Sequence, residues 1–168
     1  MFIIWGIVLL VDSLIFAYIS YRYLPGPHGI MPLNYAIMGL VVSMSSLLSW
    51  FVIGMIYACL SKVKKPGKRE LLTGIIGETH GILGGIIAIV FFAAPDYLSI
   101  MATFPWFINY LGFAVFLKYV TGVAPSSLTA CAVVYIATLI IMPMIFMSGV
   151  LIGGKIISNT KRKNMPIK

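Results

Sequence analysis

The sequence predicts an all-α, polytopic bundle of transmembrane helices, and three observations carry that expectation. Of 168 residues, 61% are hydrophobic and only 10% charged, against about 45 to 50% and about 25% in a soluble domain. The apolar residues gather in runs of about 20 or more, the length a helix needs to cross a bilayer and about twice that of a barrel strand. The runs are separated by short stretches of helix breakers and cations, so every backbone polar group at membrane depth can be satisfied within a helix. A doubly wound nucleotide-binding fold, a TIM barrel and a disulfide scaffold are excluded on the same grounds.

The first segment, 2–21, is interrupted only by Asp12 and Ser13. It has no basic n-region and no small-x-small cleavage site, and so reads as a retained helix rather than a signal peptide. Leu24-Pro25-Gly26-Pro27-His28-Gly29 cannot continue a helix and makes a short turn. The second segment, 33–60, ends at Ser61-Lys62-Val63-Lys64-Lys65-Pro66-Gly67-Lys68-Arg69-Glu70. Its Pro-Gly pair marks a turn, and Lys62, Lys64, Lys65, Lys68 and Arg69 place that turn on the cytoplasmic side by the positive-inside bias.

The third segment, 71–94, is glycine-rich and contains Glu78 and His80, with Pro95-Asp96 ending it. The fourth, 104–123, is the least apolar, with Asn109 and Lys118. The fifth, 128–154, follows Pro125-Ser126-Ser127 and includes Pro143, a kink site. A basic tail occupies 155–168. Five spans put that tail outside, against the charge bias; four spans plus an interfacial fourth helix, held by Trp106, Tyr110 and Lys118, are the alternative. The chain forms one transmembrane domain, with no internal repeat or low-complexity tract.

The net charge of +8 does not indicate nucleic acid. Five of the twelve cations lie between Lys62 and Arg69 and five more between Lys155 and Lys168. Juxtamembrane clusters of this kind attract anionic lipid, and no interleaved aromatics accompany them. The expected partners are membrane lipids and other membrane subunits or further copies of the chain, and the expected location is the cell membrane of a prokaryote. Cys59 and Cys131 lie in apolar segments without CxxC spacing and read as buried structural thiols.

Ionisable groups at membrane depth each call for a reason. There are four: Asp12, Glu78, His80 and Lys118. Asp12 and Lys118 could pair, or Lys118 could snorkel while Asp12 bonds to a neighbouring helix. Gly77, Gly81 and Gly85 recur at intervals of four and fall within an arc of about 80° on one helix face. This tandem GxxxG lets another helix approach closely. Glu78 and His80 flank it on opposite sides, as proton-relay groups or as packing hydrogen bonds. Gly39, Ser43, Ser46, Trp50 and Gly54 form a second stripe of small and polar residues, again a helix-packing seam. No nucleophile, base and oxyanion hole assemble, and no metal-ligand cluster or cofactor motif is present.

A basic turn after a Ser/Trp-containing second helix, a glycine-rich third helix, Trp106-Phe107-Ile108-Asn109-Tyr110-Leu111-Gly112 opening a fourth and Pro125-Ser126-Ser127 leading into a fifth together resemble a prokaryotic Yip1-like five-helix domain. The resemblance implies a non-enzymatic membrane protein with its N-terminus inside and its tail outside. The leading expectation is therefore a non-catalytic protein that packs with membrane partners or organises the bilayer. Alternatives are a small transporter or transport subunit using Glu78, His80 and Asp12, and a quinone- or haem-associated anchor of a redox complex.

Overall fold

A computed structural model describes residues 2–23, 33–79, 81–83 and 128–163. The chain is all-helical, with four helices and no strand among the described residues: α1 (Phe2–Tyr23), α2 (Leu33–Ser61), α3 (Lys68–Gly77) and α4 (Leu128–Lys163). Two of them contain stretches long and apolar enough to cross a membrane, Ile37–Ser61 in α2 and Leu139–Thr160 in α4. The fourth predicted segment, with Asn109 and Lys118, lies outside the described residues.

Helix boundaries follow local chemistry. The run of α2 ends in a Schellman turn: Lys62 takes a left-handed φ of 53°, and the Val63 N–H reaches back to the Ala58 carbonyl at 3.1 Å. Val63 then packs onto the core, the apolar contact that accompanies such turns. α3 starts at Lys68, three residues before the apolar run, because Glu70 supplies a cap; its Oε2 accepts the Gly67 N–H at 2.8 Å. At Glu78 (φ −88°, ψ 5°) the backbone opens into a turn before helix resumes over residues 81–83. α4 continues to Lys163 rather than stopping near Gly154. No breaker intervenes before Pro166, and cations suit the negative end of the helix dipole.

The four helices form a ring in the order α1, α2, α4, α3. The most extensive contact joins α2 to α4, and the next joins α1 to α3. α1 and α2 are antiparallel, since Trp5 stacks edge-on against Tyr57 while Asp12 meets Ser49 and Ser13 meets Trp50. α1 and α3 run parallel: Gly6 faces Thr73 and Ile76, and Leu9 faces Gly77. α2 and α4 also run parallel, with Phe51 beside Gly149, Ala58 beside Gly153 and Lys64 beside Gly154. The N-terminus of α1, the basic turn and the C-terminal end of α4 thus share one end of the bundle.

Close approach of backbones at small residues sets this packing. A β-carbon on Gly149 would run into the Phe51 carbonyl oxygen, and one on Gly54 into that of Phe146. Around these contacts Leu9, Trp50, Tyr57, Ala58, Met142, Phe146 and Val150 form the core. Pro143 sits inside α4 and is buried against α3, where a β-carbon on Gly74 would lie 2.9 Å from the proline Cβ. Large apolar side chains such as Ile4, Leu48, Met144 and Ile140 point outward. Cys59, expected to be buried, is exposed on the outer side of α2.

Candidate functional site

Polar side chains occupy the interior of the bundle, and helix register explains how they come together. The buried face of α2 repeats at three and four residues through Gly39, Ser43, Ser46, Trp50, Gly54 and Tyr57, which is one side of an α-helix. Trp50 is fully buried and donates its indole N–H to Ser13 Oγ at 3.2 Å, tying α2 to α1. One residue earlier on each helix, Ser49 Oγ donates to Asp12 Oδ1 at 2.7 Å. The carboxyl in α1 is therefore held by a serine of α2; Lys118, a possible partner on sequence grounds, lies outside the described residues.

The glycine face of α3 is turned to the same interior. A β-carbon on Gly77 would sit 2.6 Å from Leu9 Cβ and 2.8 Å from Trp50 Cη2, so its space is filled by α1 and α2 of the same chain. Gly81 is buried as well; Gly85 and His80 lie outside the described residues. Glu78, next to Gly77, is 1% exposed and is among the largest fully buried side chains. Since Tyr57 meets Glu70 and Trp50 meets Gly77, the antiparallel register of α2 and α3 carries Ser46 and Ser43 toward the level of Glu78 and Gly81. Asp12 and Ser49 are half-buried at the contact of α1 with α2, one residue from the buried Ser13–Trp50 bond, while Ser43, Ser46 and Glu78 are buried.

A second polar group sits at the basic end. Glu70 is buried, and its two oxygens accept from Tyr57 Oη at 2.9 Å and from the Gly67 N–H at 2.8 Å. Tyr57 also contacts Trp5 (5.6 Å between ring centroids, 84° between planes) and Phe146 (5.7 Å, 53°), joining α1, α2 and α4. The carboxylate at the third position of α3 complements the helix dipole as well as capping it. Outside this group, Lys62, Lys64, Lys65, Lys68 and Arg69 surround the turn, and all five are exposed to solvent. Lys155, at the end of α4, is exposed on the same end.

Reasoning from the sequence passed over Ser13, Ser49, Tyr57 and the Gly149/Gly153 pair. The glycines carry a legible signal, a GxxxG at 149–153 in an apolar helix. The hydroxyls carry none, since nothing local marks which serine meets a carboxyl on another helix. Among the described residues no group of three His, Cys, Asp or Glu side chains could hold a metal ion. The chain matches no known family model, no curated protein and no solved structure.

Proposed function

We propose that this is a non-catalytic, multi-pass membrane protein whose basic end grips an anionic leaflet and whose outward apolar faces pack against lipid or further membrane subunits. The observation that carries this reading is the parallel course of α2 and α4. It brings nine cations of the two basic runs, those from Lys62 to Arg69 and from Lys155 to Lys163, to one end of the bundle beside Lys64 and Gly154. The acidic residue in their midst, Glu70, is buried and hydrogen-bonded, and its single charge leaves the five cations of the turn in excess. Each cation near an anionic surface contributes about 1 kcal/mol of attraction.

The same geometry bears on the number of crossings. With α1 and α3 running one way and α2 and α4 the other, the later end of α3 and the start of α4 at Leu128 both lie away from the basic turn. This supports an even number of crossings, as in four spans with an interfacial segment, over the five of a Yip1-like domain. It also satisfies the positive-inside bias for both basic runs. The membrane-organising role is what we retain from that resemblance, in the cell membrane of a prokaryote.

Native mass spectrometry after reconstitution in mixed phosphatidylglycerol and phosphatidylcholine nanodiscs tests the reading. Several anionic lipids should remain bound, and a variant with Lys62, Lys64, Lys65 and Lys155 changed to Gln should lose most of them. Equal retention of the two lipid classes by both proteins would overturn it.

Glu78 favours a second reading, a small transporter or the membrane subunit of one. A carboxyl 1% exposed inside an apolar bundle is the kind of group that ion and proton pathways use. Loss of proton flux into proteoliposomes in Glu78→Gln, with the fold intact, would support it; unchanged flux would remove it.

A further inference from the structure

We infer that Asp12, Ser46 and Ser49 form a binding site for one monovalent cation, a proton or a sodium ion, at the seam between α1 and α2. This goes beyond the lipid-facing role and does not require that the ion cross the membrane.

Two oxygens on facing helices carry the inference. Asp12 Oδ1 accepts from Ser49, while Asp12 Oδ2 is closed off from solvent and has no hydrogen-bond partner among the described residues. Ser46 is 3% exposed and its Oγ likewise has no partner among the described residues. A serine inside a helix ordinarily donates to a carbonyl three or four residues back. Ser148 does so to Met144 and Ser158 to Lys155, both at 2.8 Å. Ser46 does not, although it sits on the buried face of α2, three residues from Ser49. At that spacing the two Cβ atoms are about 5 to 6 Å apart, so the unused hydroxyl of Ser46 lies one helical turn from the Ser49–Asp12 bond.

The site has an excess of acceptors. Ser49 spends its one proton on Asp12, which leaves its lone pairs free, and Ser46 and Asp12 Oδ2 add more. A carboxylate oxygen shut away from water without a donor is costly, and a positive charge would supply what the described residues do not. The donors are hard oxygens, which suit a proton or an alkali cation and not a soft metal. Asp12 balances one positive charge; α2 presents no titratable group to it, and α3 presents Glu78, buried in the adjoining interior.

Reaction of the full-length protein with dicyclohexylcarbodiimide, which modifies protonated carboxyl groups in apolar surroundings, provides the test, with the adduct located by peptide mass mapping. The adduct should form on Asp12 at acid pH and be absent in Asp12→Asn. Protection by sodium chloride but not by choline chloride identifies sodium as the ligand; protection by raised pH alone identifies a proton. Ser46→Ala removes one oxygen ligand and leaves the Ser49 bond, so the midpoint of protection should shift by about 3- to 10-fold, the equivalent of one neutral hydrogen bond. An Asp12 that stays unlabelled at both acid and alkaline pH overturns the site. So does labelling indifferent to pH and sodium, or an unmoved midpoint in a folded Ser46→Ala protein.

Discussion

Gly154, near the end of α4, lies so close to the backbone of Lys64 in the basic turn that a β-carbon there would strike the lysine carbonyl. A contact between the last third of the last helix and the turn after the second fixes the direction of α4, and with it the end of the bundle at which the basic tail emerges.

Topology mapping checks this directly. In a background lacking Cys59 and Cys131, Lys65→Cys and Thr160→Cys, both at exposed positions, should react with a membrane-impermeant maleimide from the same side. Asn34→Cys, exposed at the start of α2, should react from the other. Labelling of Lys65→Cys and Thr160→Cys from opposite sides would refute the parallel pairing of α2 and α4.

The glycine contacts divide into those with room and those without. Gly149→Leu forces a side chain against the Phe51 carbonyl and should prevent α2 and α4 from seating, seen as loss of the monodisperse peak in size-exclusion chromatography. Gly77→Ala, whose methyl meets Leu9 and Trp50 side chains, should destabilise by about 1 to 3 kcal/mol. Gly67→Ala meets only Glu70 Oε2 at 3.5 Å and should be nearly neutral in thermal denaturation.

The Tyr57–Glu70 bond should be measurable by a double-mutant cycle. Tyr57→Phe leaves one oxygen of a buried carboxylate without its donor, which costs about 1 to 3 kcal/mol. Glu70→Ala removes the cap of α3 as well. The combined variant should be less destabilised than the sum of the two, with a coupling of at least about 0.5 kcal/mol; strict additivity would mean that the two side chains do not interact.

Lys62 carries the positive φ that ends α2. The left-handed conformation costs an L-residue about 1 to 2 kcal/mol, and part of this is offset by the greater freedom of glycine in the unfolded chain. Lys62→Gly should therefore stabilise the protein by about 0.5 to 1 kcal/mol, whereas Lys62→Val should destabilise it. A lower melting temperature for the glycine variant would contradict the Schellman assignment.

Much of the local architecture is legible without coordinates. The ends of α1 and α2 fall within two residues of the apolar runs, and the basic turn lies where Pro66 and Gly67 put it. The starting point of α3 was less so, because the Lys68-Arg69-Glu70 triplet reads as loop until Glu70 is seen to cap Gly67. The end of α4 is not legible for the opposite reason: the charged stretch after Gly154 is compatible with helix, and nothing in it breaks one.

Run lengths, breakers and charge clusters are properties of neighbours in the chain, and so composition by itself determined an all-helical protein with apolar helices and two basic runs. Which residues oppose one another across helices is not local. Only the tertiary structure decided that Gly77 faces Trp50 of the same chain, that Ser49 donates to Asp12, and that α4 runs parallel to α2. Each depends on how closely two backbones can approach, and that is set by the side chains of both helices at once.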